Sequence, residues 1–524
     1  MGKAPGIVKL FLEPQAFSEI GACLSVCGRS VVADKGICLS CGQPEPSIGL
    51  TDIVTALSSA AVADKLTPYQ SFRRWFRQAT IAEAYEESVR LTSAKGVDRL
   101  DPTSFEKQMK EHFSIIRRKC LDGSYRFSPY LEILKSKGRG REPRVVSVPT
   151  VRDRVVFCLL KELLHEVFPE CVNRMLPNAY VRAILQSLGG IDTRSLDVVR
   201  LDVKGFYDNL DHTVLERQLR KRIRSKRILA LICKALETQT VPLGCGRRSA
   251  RSRTALGVPQ GLAISNILAN IYMRDFDRIA QQTTRHYWRF VDDILVLVDS
   301  GEGAEKRSDL EGELRAIGLE VSEGKSSVVS LESGFEFLGY RLQLPLVSVR
   351  LPTVQRFIQG IAARFSAYSI GRETNLLRYP RRTEEMMRRA FVEDLNEKIT
   401  GAIRGKRRYG WLFYFQEIND LKLLYRLDAI VASLFRRLDD FEHQCPSGLK
   451  RFVRTYYEAR FNIRGGYILD YEGFRSTKDK LEYLVLRGLL SGDAKHSEDR
   501  IERAFYEAMR RHLSRLEVDV GMIS

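Results

Sequence analysis

The sequence predicts an α+β fold with a helical region appended to it. Short apolar strand patterns and amphipathic helical patterns alternate between about residues 128 and 345 without a regular β-α-β period. Beyond about residue 350 the strand patterns stop, and a nearly all-helical stretch rich in Arg and aromatic residues follows. Hydrophobic residues make up 44% and charged residues 28% of the 524, ordinary globular usage that excludes collagen-like, low-complexity and wholly disordered chains. No internal repeat is visible.

Taken in order, residues 1 to about 60 are punctuated by Gly, Pro and Cys. Cys23 and Cys27, then Cys38 and Cys41, give a CxxxC and a CxxC at close to zinc-ribbon spacing, and four thiolates can close a tetrahedral structural Zn²⁺ site. The intervening segment is short and the first knuckle one residue wide of the commonest form, so reduced structural thiols stay open as the alternative. Ten cysteines in so long a chain are too dilute for a disulfide scaffold, and no apolar leader precedes them, so a cytoplasmic address is expected. No stretch approaches the ~20 apolar residues that span a bilayer, and no membrane partner is expected.

From about 65 to 175 the pattern is helical, with Phe72, Trp75 and Phe76 at helical spacing in one segment and Phe105, Met109 and Phe113 in another. Asp101-Pro102 is a helix start, because Asp caps and Pro suits the first turn. Strands are expected at 130–134 and 144–148 around a Gly/Arg/Lys loop, then a helix at 151–168. Further strand patterns lie at 198–203, 286–291, 294–298 and around 335–344.

Three acids stand where strand patterns break. Asp202 interrupts a short apolar strand and is followed by Phe206-Tyr207; Asp292-Asp293 occupy the tight turn between two strands. Turns favour Asp for their own reasons, but carboxylates from adjacent strands can also hold Mg²⁺, which takes hard oxygen ligands. Two such ions about 3.5–4 Å apart stabilise the attacking and leaving oxygens of in-line nucleotidyl transfer. Between these acids, Gly257-Val258-Pro259-Gln260-Gly261 opens a tight loop that continues as a helix. A net charge of +19 and a pI near 9.5, with basic clusters at 221–227, 381–382 and 404–408, suit a polyanionic partner. Each cluster taken alone reads first as a solvated helix face; the net charge of the whole chain is what points to a polyanion.

The order of these segments resembles that of reverse transcriptases. Asp202 to Tyr207 is similar to the family's first catalytic motif, Gly257 to Asn266 to its PQG motif and Phe290-Val291-Asp292-Asp293 to its aromatic-x-Asp-Asp motif. Gly318 to Lys325 and Phe337-Leu338-Gly339-Tyr340 resemble its remaining palm motifs. Gly96-Val97-Asp98, Lys135 through Arg144, and Pro149 to Arg154 resemble the fingers of group II intron and retron-like enzymes.

The resemblance implies a right-hand polymerase: an N-terminal extension at 1–64, fingers at 65–195, a palm with an antiparallel sheet at 196–345, a helical thumb at 346–445 and a C-terminal helical extension at 446–524. It implies that Asp202 and Asp292 bind two Mg²⁺ ions, with Asp293 as the third catalytic carboxylate. Lys135 and Arg144 would hold the triphosphate of the incoming nucleotide, and Tyr207 would be a steric gate against the 2′-OH. Gln260 would face the nascent base pair, and Lys325 would neutralise or protonate the leaving pyrophosphate. Phe290, Gly339 and Tyr340 would contact primer and template. Phe290 departs from the Tyr common before x-Asp-Asp, which removes a hydroxyl near the primer end.

The implied activity is RNA-directed DNA polymerisation from dNTPs on an RNA template. The basic, aromatic tail resembles that of bacterial defence-associated reverse transcriptases of the unknown groups, some of which act against phage with a dedicated non-coding RNA. Two other readings stay open: a maturase-type splicing protein, and a template-independent or protein-primed polymerase, for which 20 tyrosines leave room. A homo-oligomer or a companion protein also stays open.

Overall fold

The computed structural model describes residues 66–521 apart from 91, 93, 137–141, 245–254, 379–382 and 493. The chain divides into two compact units, Met1–Ser71 and Phe72–Ser524; the elements named below belong to the second.

Helix α1 (Met109–Asp122) comes after a short helix, Pro102–Glu106, whose N-cap Asp101 accepts a hydrogen bond from Ser104 N at 2.8 Å. The aromatic spacing of Phe105, Met109 and Phe113 thus spans two helices with a break at Lys107-Gln108. Strands β1 (Tyr130–Lys135) and β2 (Arg144–Val148) pair antiparallel, with Lys135 directly opposite Arg144. Helix α2 (Val151–Val167) begins at Thr150, whose hydroxyl accepts from Asp153 N. Asp153 is itself buried and accepts from Tyr125 Oη at 2.7 Å, Ser128 N at 3.1 Å and Thr150 Oγ1 at 2.8 Å. Gly96 lies so close to this start that a Cβ would stand 2.7 Å from Thr150 Cα.

The central sheet contains β3 (Leu196–Asp202), β5 (His286–Phe290), β6 (Asp293–Asp299) and β7 (Ser327–Ser330), ordered β5-β6-β3-β7 and antiparallel throughout. The two-residue strand β4 (Thr240–Val241) pairs with β1. Residues of β3 enter opposite cores: Val199 and Leu201 pack with α2, α3 (Ser265–Thr283) and α4 (Gly303–Ala316), whereas Leu196 and Val198 face the other side. Burial on both faces explains why β6 reads as a continuous apolar run from Ile294 to Val298.

The second core joins that sheet face to β8 (Phe335–Phe337), β9 (Tyr340–Gln343) and β10 (Leu346–Val349), and to helices α5 (Leu351–Arg378), α6 (Glu384–Thr400), α7 (Leu421–Phe435) and α8 (Phe452–Phe461). The expected all-helical character beyond 350 is interrupted. Strands β11 (Ala402–Arg404) and β12 (Arg407–Tyr409) form a hairpin, and β13 (Leu469–Asp470) adds to β11 in parallel. Helices α9 (Thr477–Leu486) and α10 (Glu498–Gly521) complete the chain's described part. Together these layers form a right-hand polymerase fold. No helix among the described residues is long and apolar enough to cross a membrane.

Candidate active site

Antiparallel pairing places Asp202, at the end of β3, directly opposite Asp293, at the start of β6. Opposed residues project from the same face, and Arg200, two residues back on β3, shares that face. Its Nη2 reaches Asp293 Oδ1 at 3.3 Å. Asp292 belongs to the two-residue turn between β5 and β6, and its carbonyl accepts from Val203 N at 3.1 Å. The turn requires φ +58° at Val291, a left-handed conformation that a β-branched residue adopts only under strain.

Lys325 Nζ contacts both oxygens of Asp202, at 2.9 and 3.1 Å. Asp202 is further fixed by its backbone, which donates to Ser326 Oγ at 3.2 Å and accepts from Ser322 N at 2.7 Å. Burial, with the charges of Asp293 and Asp202, pushes the Asp292 carboxyl up to about 6. Burial also raises Asp293, against the opposing pull of Arg200.

Tyr207 follows β3 on a short 3-10 turn and is half-buried. Burial first, then the charge of Asp292, pushes its hydroxyl up to about 12, while Arg144 acts on it in the opposite sense. The gate candidate therefore lies within electrostatic reach of the acidic turn and of the β1–β2 hairpin. The PQG loop is tied to both sides: Val258 N donates to Tyr207 O at 2.7 Å, and Ser147 N on β2 donates to Gln260 O at 2.6 Å. Gly261 allows this approach, because at φ +108° its Cβ would stand 2.8 Å from Ser147 O.

The Phe290 ring packs edge-on against Tyr180 at 5.7 Å. Gly339 lies in the β8–β9 turn at φ +81°. Tyr340 is fully buried, with its hydroxyl donating to the Tyr414 carbonyl. Its ring is thus a strut in the core. Cys23, Cys27, Cys38 and Cys41 lie outside the described residues.

A network missed by sequence reasoning lies beneath the strained turn. Arg289 on β5, 7% exposed in its side chain, makes a two-point contact with Asp277 on α3, Nε to Oδ1 at 2.7 Å and Nη2 to Oδ2 at 2.6 Å. Its Nη1 donates to the Val291 carbonyl at 3.0 Å and to Asn270 Oδ1 at 3.1 Å. Tyr287 Oη donates to Asp277 at 2.6 Å, and Asn270 Nδ2 donates to the Cys171 carbonyl at 2.9 Å. The available signal was Asn270 and Asp277, seven residues and two turns apart on α3.

Among the described residues no group of three or more His, Cys, Asp or Glu stands in metal-binding geometry. The donor set nevertheless suits Mg²⁺: hard carboxylates converge, and Lys325 and Arg200 already offset part of their charge.

Residues 133–342, from β1 to β9, match the reverse transcriptase (RNA-dependent DNA polymerase) family. This stretch is a reverse transcriptase domain, and the chain is by class an RNA-directed DNA polymerase. It is similar to protein YkfC of Escherichia coli (strain K12), 24% identical over 347 residues, 56% of this chain and 88% of YkfC. It is also similar to the group II intron-encoded protein LtrA of Lactococcus lactis subsp. cremoris, 25% identical over 246 residues, 45% of this chain and 39% of LtrA. The putative COX1/OXI3 intron 1 protein of Saccharomyces cerevisiae is 23% identical over 304 residues, 46% of this chain and 36% of that protein. The chain thus spans well under half of either of these two intron proteins. A structure of apo telomerase from Candida tropicalis, truncated from its C-terminal domain, aligns at a TM-score of 0.35 and 17% identity over 43% of this chain and 55% of that one, a slight likeness.

Proposed function

We propose that the chain extends a primer on an RNA template by two-metal-ion nucleotidyl transfer, working in the cytoplasm with a dedicated non-coding RNA in defence against phage. The observation that carries the chemistry is the pairing of Asp202 with Asp293 beside the strained Asp292 turn. On this reading 65–195 are the fingers, 196–345 the palm, 346–445 the thumb and 446–524 an extension.

Asp202 and Asp292 would hold the ions, with Asp293 kept in place by Arg200. When bound, two Mg²⁺ ions stabilise the charge that develops on the attacking and leaving oxygens. Lys135 and Arg144, opposed across the β1–β2 pair, hold the triphosphate, Arg by two-point contact. Tyr207 closes the space under the sugar and excludes a 2′-OH, while the Gln260 loop faces the nascent pair. Lys325 shifts from Asp202 to the leaving pyrophosphate and supplies its charge or proton.

The defence role is supported by the resemblance of the basic, aromatic tail. A maturase reading is favoured by one observation, the likeness to an intron-encoded protein. Purifying the protein from its native locus and sequencing the nucleic acids that accompany it, before and after dNTPs and Mg²⁺, separates these readings. One discrete RNA with new DNA copied from it is the expected result. An intron RNA without DNA product would establish the maturase reading, and DNA unrelated to the RNA would establish untemplated synthesis.

A further inference from the structure

The β11–β12 hairpin carries an arrangement that nothing within the described protein balances. Its four-residue tip, Arg404-Gly405-Lys406-Arg407, is followed at once by Arg408. Pairing sets Arg404 directly opposite Arg407, and like charges directly across an antiparallel pair are destabilising. Lys406, Arg407 and Arg408 are exposed. None of the four cations forms an ion pair with any of the described residues; Arg408 lies over the Phe413 ring at 6.0 Å.

The cluster at 221–227 behaves differently. Lys221 pairs with Asp275 at 2.5 Å, Arg222 with Glu170 at 2.9 Å, and Arg227 donates to the Leu121 carbonyl at 3.2 Å. There the charge largely serves to hold the fold together. At the hairpin it is presented outward.

The hairpin is also rigid at its base. Gly401 and Gly410 flank it at φ +69° and +123°, so close that a Cβ on Gly410 would stand 2.7 Å from Gly401 Cα. Parallel pairing with β13 and the burial of Ala402 and Ile403 fix β11 from the other side. A held cationic ribbon is pre-organised for an anion and loses little freedom when it binds one.

We propose that this hairpin docks on the phosphates of double-stranded RNA. Single strands are gripped by aromatic platforms on which bases stack, and the tip from Arg404 to Arg407 has no aromatic residue. Duplex RNA is read through shape and phosphate, and its deep, narrow major groove brings two phosphate rows close together. Cations on both strands of a narrow ribbon match that pair of rows. The inference deepens the reading of a dedicated RNA partner and rests on it, but not on the catalytic assignment.

The test compares the full-length protein with its Lys406→Gln/Arg407→Gln/Arg408→Gln variant. The probes are a perfectly paired RNA hairpin and an unstructured RNA of equal length, each titrated across salt, with thermal unfolding as the check of folding. The expected result is a duplex affinity reduced at least ~10-fold, and a salt dependence shallower by about two units in log K against log salt. Single-strand affinity should change much less, with the unfolding midpoint unmoved. Unchanged duplex affinity and slope in a folded variant would overturn the proposal. Equal losses on both RNAs would overturn the duplex assignment and leave a general polyanion contact. Asp292→Asn, measured alongside, should bind both RNAs as the unsubstituted protein does; retained polymerase activity in it would refute the catalytic reading without touching the hairpin.

Discussion

Asp292 is held where burial and two neighbouring carboxylates oppose its charge, at a turn whose backbone is strained at Val291. Strain and crowded charge cost stability, and they persist where the surrounding structure enforces them for a purpose. Asp292→Asn combined with Asp293→Asn should therefore cut DNA synthesis by more than about a thousandfold, ~4 kcal/mol of barrier, while leaving RNA binding and the thermal midpoint intact; a primer-extension assay reads this directly. Tyr207→Ala should open the space beneath the sugar and lower discrimination against ribonucleotides by roughly 10–100-fold. Competition between dNTP and rNTP checks it, and unchanged sugar selectivity would remove Tyr207 from the gate. These residues were legible in the sequence because an acid inside an apolar strand, or an aromatic just after one, is a local signal. The contact of Lys325 with Asp202 was not, since it closes a sequence gap of 123 residues through tertiary packing.

At the scale of elements, the β5–β6 hairpin and α3 act as one unit through Arg289 and Asp277. We expect Arg289 to be a positioning residue: it touches no reacting atom, but it fixes the carbonyl of the residue before Asp292. Removing one partner of a buried pair costs about 3–5 kcal/mol, whereas replacing the whole pair by apolar side chains is often neutral. The informative variant is thus Tyr287→Phe/Asp277→Leu/Arg289→Met, which removes the network without stranding a charge. Its thermal midpoint should stay near that of the unsubstituted protein while kcat falls about 10–100-fold, the order of loss that a misplacement near 1 Å produces, with KM for dNTP little changed. A normal kcat in a folded variant would show the network to be only structural. The strands of the central sheet were readable from their apolar runs to within about two residues, for instance 198–203 against Leu196–Asp202. The β11–β12 hairpin was not, because five consecutive residues rich in Arg and Lys mask the Gly405 turn signal and neither strand has an alternating apolar face.

At the scale of the molecule, the central sheet divides two cores, and α10 packs its apolar face into a third cluster with α9 while Val520 and Asp519 near its end reach the second core and α6. Lys398 on α6, 2% exposed, reaches Asp519 Oδ1 at 2.6 Å, and Glu397 beside it is held by His512 Nδ1 at 2.8 Å and by Arg487. Burial lowers Lys398 from the ordinary value of 10.5, and Asp519 is the main influence holding it up. Asp519→Ala would leave a buried ammonium favoured by Asp394 and the Phe357 ring and opposed by Arg364, with no acid in direct contact, a loss of about 3–5 kcal/mol near neutral pH. Because the folded-state value is lowered, the folded variant binds this proton less tightly than the unfolded chain does. The deficit is therefore fully present below the folded-state pKa and shrinks as pH rises through it towards 10.5. Thermal unfolding at about pH 7 and pH 9.5 should show the gap between variant and unsubstituted protein narrowing, and Lys398→Met/Asp519→Leu should show little gap at either pH. A gap that stays constant would mean that the ammonium finds a new acid partner when α10 loses its own, and that the packing of α10 against α6 does not depend on this pair.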